Sequence, residues 1–77
     1  MMTCIYEVRY QFRWHSSEPT HWEDQAVKVA AGLDALEAVE KVKIAALALH
    51  RLDENGREER CTSFRLREVI LIAEASL

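Results

Sequence analysis

A regular alternation of apolar and polar residues near the N-terminus constrains the fold more than any other feature of this chain. From Thr3 to His15 every even position is apolar, and every odd position except Ile5 is polar. Successive side chains of a strand point to opposite faces, so this pattern predicts one long strand with a single buried face. The apolar positions are Cys4, Tyr6, Val8, Tyr10, Phe12 and Trp14, and the polar positions include Glu7, Arg9, Gln11 and Arg13.

A polar segment after this strand indicates the connection of a hairpin. It runs from Ser16 to Thr20 and contains the only proline, Pro19, which disfavours helix at the preceding residue. The return strand is predicted from Trp22 to Ala31. Its alternation is weaker than that of the first strand, which is typical of an edge strand.

The middle of the chain has the period of a helix. Asp34, with Glu37 three residues later, is a capping pattern that follows the strand-breaking Gly32, and the helix is predicted from Asp34 to Leu52. Its final turn would place His50 at the negative end of the helix dipole, and the Asn55-Gly56 turn would then end it. The apolar positions at helical spacing are Ala35, Ala38, Val39, Val42, Ala45, Ala46, Leu49 and Leu52.

A last strand, rich in residues that favour strands, is predicted from Arg60 to about Ala75. Its phase is ambiguous because Phe64 and Leu66 share a face with Ile70, yet Glu68 lies between them. Two explanations remain open, namely a bulge near Arg67–Glu68 or burial of both faces of the C-terminal half.

These elements predict a single α+β domain over residues 1–77, with the two-layer order ββαβ. The simplest topology is a right-handed crossover that brings the third strand beside the first, which gives a three-stranded antiparallel sheet of order 2-1-3 with the helix on one face. Cys4 and Cys61 would then lie at opposite ends of the sheet, so both are predicted to be free thiols.

Composition gives no global sign of a nucleic-acid or membrane partner, since the net charge is −3. The apolar runs are shorter than the roughly 20 residues of a bilayer crossing, and the N-terminus lacks a charged-then-apolar signal pattern. The expectation is a cytoplasmic protein.

Two features favour self-association. The predicted helix is shorter than the first strand, so an aromatic group should remain uncovered at the hairpin end of the sheet. The simpler interpretation is that these aromatic rings cap the core, and the alternative is a partner surface. Ile44 and Leu47 also point away from the core stripe of the helix. A homodimer is therefore expected through the hairpin end, the helix or an edge strand. The aromatic group consists of Phe12, Trp14, Trp22 and Phe64.

Arginines on the sheet face without a helix provide a second hypothesis, in which that face binds nucleic acid or another polyanion. The simpler interpretation is that they pair with glutamates across the strands and solvate the sheet. The candidate residues are Arg9, Arg13, Arg65 and Arg67.

A metal or catalytic site is the third and weakest hypothesis. His15, His21 and Cys61 should lie near the hairpin, but their spacing matches no recognised metal motif, so no cofactor is expected. The chain also lacks a glycine-rich phosphate loop and a nucleophile elbow. The sequence therefore favours a small non-catalytic interaction module rather than an enzyme.

Overall fold

The computed structural model describes residues 2–18 and 20–76, which form one helix and one curled antiparallel sheet. The α+β class is therefore confirmed, with four strands instead of three. Pro19, within the predicted hairpin connection, lies outside the described residues. The elements are β1 (Met2–Trp14), β2 (Ala26–Gly32), α1 (Ala35–Leu47), β3 (His50–Leu52) and β4 (Glu58–Ser76).

The strand order is β2-β1-β4-β3, with every neighbouring pair antiparallel. The cleanly alternating β1 lies between β2 and β4, as the sequence predicted. Cys4 is opposite Gly32 at one end of β1, whereas Cys61 is opposite Trp14 at the other end. Both cysteines are free thiols, in agreement with the prediction.

The start of α1 agrees with the predicted cap. Asp34 has extended backbone angles, and its side chain accepts a hydrogen bond from Glu37 N at 2.9 Å. Glu37 Oε2 in turn accepts one from Leu33 N at 3.4 Å. The Glu37 amide, which has no partner within the helix, and the amide of Leu33 just before the cap are thereby satisfied.

The predicted end of the helix is wrong, because α1 ends at Leu47 and His50–Leu52 form β3. The Asp53–Gly56 turn, assigned to the helix terminus, instead closes the β3–β4 hairpin. Asp53 Oδ1 accepts hydrogen bonds from the backbone amides of Asn55 and Arg57, and Gly56 has a φ of 73°, which suits glycine. The expected roles of His50 at a helix terminus and of Leu52 in the core are therefore not observed.

The strand β2 starts at Ala26 and not at Trp22, because the preceding segment follows a different path. Glu23 still bonds to β1, since its amide donates to Phe12 O at 2.9 Å, and Trp22 packs on the sheet face without the helix. Val27 and Val29 lie opposite Arg9 and Glu7, so they also lie on that face.

A bulge at Arg67–Glu68 resolves the phase of β4, so the first of the two predicted explanations is correct. The β1–β4 register shifts at three places, which leave Thr62, Arg67 and Ile72 of β4 without an opposite residue on β1. Bulges increase local twist, in keeping with the curled sheet.

The core lies between α1 and the even-numbered face of β1. Val8, Tyr10, Val42 and Ala46 form its buried centre. At 13 residues, α1 spans about 20 Å, whereas the 13 residues of β1 span about 43 Å. The helix therefore leaves one end of the sheet uncovered, as expected. Within the described residues, no helix is both long and apolar enough to cross a bilayer.

Candidate interaction surfaces

The outer side of β4 is an open strand edge over most of its length. Among the described residues, β3 pairs with it only at Glu58, Glu59 and Arg60, and the amide of Cys61 donates to Leu49 O at 3.0 Å. From Thr62 onward, no strand formed by residues 2–18 and 20–76 lies on this side of β4. We call residues 62–76 of β4 the free edge.

Apolar side chains follow the free edge. Leu66 is 43% exposed, Leu71 is 49% exposed and Ile72 is 50% exposed. Leu66 and Leu71 lie opposite Tyr10 and Tyr6, so they are on the helix side of the sheet. A long, apolar and unpaired strand edge is a site at which another strand can add.

One flank of α1 continues this apolar surface. Its other flank faces β2, because Lys41 Nζ donates to Ala31 O at 2.7 Å and Ala45 lines a cleft with Lys28 of β2. At 3.6 residues per turn, the opposite flank faces β4. That flank carries Leu36, Val39, Lys43 and Leu47, of which Leu36 is 71% exposed.

The structure separates the two helix residues that the sequence singled out as interface candidates. Leu47 lies on the flank toward β4 and is about one-third exposed. Ile44 is two-thirds exposed and points away from the sheet, since it is nearly half a turn from the buried Val42.

Three of the four predicted aromatic residues gather at the uncovered end of the sheet. The Phe12 ring contacts Trp14 edge to face at 5.5 Å, and Phe64 stacks on Tyr10 at 5.3 Å. Trp14 is buried, and the guanidinium of Arg51 lies 4.5 Å from the centre of its ring. This group therefore caps the core, which matches the simpler interpretation.

Trp22, the fourth, lies on the opposite face, so its expected place in the aromatic group is wrong. The guanidinium carbons of Arg65 and Arg13 lie 4.4 Å and 5.5 Å from the centre of its ring. Arg65 also donates to Gln11 Oε1, and Arg13 Nη2 donates to Ser63 Oγ at 3.1 Å. The sequence prediction missed this position because it treated Trp22 as part of a regular strand.

Arg9 makes the pairings of the simpler interpretation. Its guanidinium lies 3.5 Å from Glu7 and 3.4 Å from Glu68, both on the same face of the sheet. Arg67, in the bulge, is exposed and forms no ion pair within the described residues.

A polar cluster that the sequence did not reveal closes the hairpin end. The carboxylate of Glu59 is buried, pairs with Arg51 across the β3–β4 hairpin and accepts a hydrogen bond from Ser16 N at 3.3 Å. Hydrogen bonds from Ser16 and Arg51 lower the pKa of Glu59. Glu59 therefore links the hairpin to the end of β1.

The residues of the metal hypothesis do not form a ligand set. His15 is exposed, His21 lies 4.0 Å from Glu23, and the buried Cys61 thiol contacts Ser63 O at 3.5 Å. Across residues 2–18 and 20–76, no three His, Cys, Asp or Glu side chains are grouped so that they could hold a metal ion.

Comparison with protein-family models, with curated proteins and with solved structures found no match for this chain.

Proposed function

We propose that this domain is a non-catalytic interaction module that self-associates, and that two copies join along the free edge of β4. The observation that carries the proposal is the outer edge of β4 after Cys61. Within the described residues it has no neighbouring strand, and it carries exposed leucines on the helix side. Addition of a second strand would satisfy the outward backbone groups and remove the leucines from water.

The position of the helix supports this edge rather than the other edge of the sheet. At β2, Lys41 reaches over to the backbone of Ala31, and the exposed Val27 and Val29 lie on the face without a helix. At β4, Leu66 and Leu71 are on the helix side, and α1 packs against this strand. Within the described residues, the free edge of β4 thus combines outward backbone groups with exposed leucines on the helix side.

The experiment is a series of sedimentation-equilibrium measurements from low to high micromolar protein. We expect a reversible monomer–dimer equilibrium that Leu71→Lys weakens, because a charge placed in the contact would lose its hydration. The matched control is Ile44→Lys, which adds the same charge on the outer surface of α1 and should leave the equilibrium unchanged. Weakening by Ile44→Lys alone would place the contact on the helix surface and contradict the proposal.

A second candidate function is polyanion binding on the sheet face without the helix, as Trp22 brings an aromatic ring to the arginines there. Arginine and aromatic side chains together favour nucleotide bases and phosphates. This candidate has less support because Arg9 and Arg65 already have polar partners.

Titration of a single-stranded oligonucleotide at low salt tests this second candidate. Binding should fall steeply with added salt and weaken in Trp22→Ala and in Arg13→Glu. Lys43→Glu is the control, because it changes the net charge by as much as Arg13→Glu does but lies on the helix. It should leave the binding largely unchanged. Absence of binding at low salt would eliminate this function.

A further inference from the structure

The two faces of β4 alternate in a pattern that is symmetric about the bulge at Arg67–Glu68. The three residues without an opposite position on β1 are Thr62, Arg67 and Ile72, spaced five residues apart. Between them the strand alternates regularly. The first three residues on each side of the Arg67–Glu68 pair therefore lie on the helix side, the open side and the helix side in that order, namely Leu66, Arg65 and Phe64 in one direction and Val69, Ile70 and Leu71 in the other.

This symmetry has a geometric consequence for pairing with a second copy. In an antiparallel pair, opposite residues must lie on the same face of the sheet. A register that places Arg67 of one strand opposite Glu68 of the other puts Leu66 opposite Val69 and Phe64 opposite Leu71, all on the helix side. A shift by one residue in either direction would place Leu66 opposite a residue of the other face.

The charges in the bulge agree with the same register. Glu68 contacts Arg9 of its own chain at 3.4 Å, and Arg67 is exposed with no ion pair within the described residues. In the symmetric pair each Glu68 would meet the partner's Arg67, and the two-fold axis would repeat this contact. Opposite charges at directly facing positions stabilise a strand pair, and like charges destabilise it.

The neighbouring β3–β4 hairpin limits where a second strand can pair with β4. Leu49 and β3 occupy the outer side of β4 up to Cys61, so a second strand can pair from Thr62 onward. In the symmetric register Thr62 lies opposite Ala73. The paired segment, residues 62–73, is then centred on the bulge.

We infer that two copies of this chain pair antiparallel through β4 in the one register that sets Arg67 opposite Glu68, with both helices on the same face of a continuous sheet. This inference rests on the proposed self-association. It adds a specific register and the Arg67–Glu68 charge pair that tests it. Bulges often protect an edge from pairing, but here the two bulges would face each other and keep both strands in phase.

Charge reversal tests the register. Arg67→Glu and Glu68→Arg should each weaken dimerisation by at least about tenfold, since each variant makes both facing pairs repulsive. The double variant with exchanged charges should recover the affinity. A mixture of the two single variants should form the heterodimer, because the pairs between the two chains are then attractive.

The heterodimer is the decisive result, since a folding defect within one chain cannot be repaired by adding another chain. Arg60→Glu is the matched control, as it reverses a charge of β4 where β3 already covers the strand. A persistent dimer that is insensitive to both single reversals, or variants that the mixture does not rescue, would overturn the register and leave self-association standing. A wild-type monomer at every concentration would overturn both.

Discussion

Arg51 lies with its guanidinium carbon 4.5 Å from the centre of the Trp14 ring. The two residues come from β3 and from the end of β1, and the same arginine pairs with the buried carboxylate of Glu59. The short β3 hairpin thus covers the aromatic end of the core, which α1 is too short to reach. This arrangement leaves Leu66, Leu71 and Ile72 on the free edge of β4 about half exposed.

Removal of the Arg51 side chain should loosen the hairpin end. We expect Arg51→Ala to lower the free energy of unfolding by at least the ~0.5–1 kcal/mol of an exposed cation–π pair. Trp14 emission should also shift to longer wavelength, because the ring would become more accessible to water. Urea unfolding and fluorescence in a Trp22→Phe background measure both effects. Arg57→Ala is the control, and equal stability of the two variants would contradict the covering role.

The carboxylate of Glu59 should make stability depend on acid pH. Its pKa in the folded chain is lowered by hydrogen bonds from Ser16 and Arg51, so folding favours the ionised form. The resulting stabilisation is present above the unfolded pKa, near 4.3, and is lost as pH falls through the lower folded pKa. Glu59→Gln should therefore lose less stability than the wild type between neutral pH and pH values below 4.3. The free energy of unfolding of each protein is measured by urea unfolding at several pH values. An equal loss of stability in the wild type and Glu59→Gln across this range would contradict the assignment.

The cap of α1 should contribute measurably to stability. Asp34→Ala removes the acceptor of the Glu37 amide and should lower the free energy of unfolding by about 1 kcal/mol. Asp34→Ser retains a hydrogen-bond acceptor, so its free energy of unfolding should fall by only a fraction of this amount. Thermal unfolding of the three proteins measures the difference, and indistinguishable transitions for Asp34→Ala and the wild type would contradict it.

The structure separates two residues that the sequence patterns had both predicted in the core, Val8 from the alternation in β1 and Leu52 from the helical period. Val8 is fully buried, and Val8→Ala should lower the free energy of unfolding by about 2 kcal/mol. Leu52 was predicted in the core but is 70% exposed on β3. Leu52→Ala should therefore change the free energy of unfolding by less than about 0.5 kcal/mol. A larger loss in Leu52→Ala than in Val8→Ala would favour the longer helix of the sequence prediction.

The sequence was sufficient for those parts of the fold that local patterns determine. The alternation in β1 predicted the central strand, Asp34 predicted the start of the helix, and the displaced Glu68 indicated a bulge as one of two explanations. The end of the helix was missed because residues from Leu49 to Leu52 fit both the helical period and a short strand. Pairing with Glu58–Arg60, a nonlocal interaction, decides between them.

The candidate surface was less predictable for the same reason. Leu47 was predicted at the interface and lies on the helix flank toward β4, but no local pattern indicated that Leu66 and Leu71 would be about half exposed. Their exposure depends on where the helix lies across the sheet. Trp22 was misplaced because its packing on Arg65 replaces a strand that the alternation had suggested.

Self-association through the free edge is tested by the molecular mass of the protein in solution. Light scattering or sedimentation from low to high micromolar concentration should show a reversible change from one chain to two in the wild type. The same change should be shifted to higher concentration in Leu71→Lys and not in Ile44→Lys. A mass of one chain throughout this range, in folded wild-type protein, would contradict the claim.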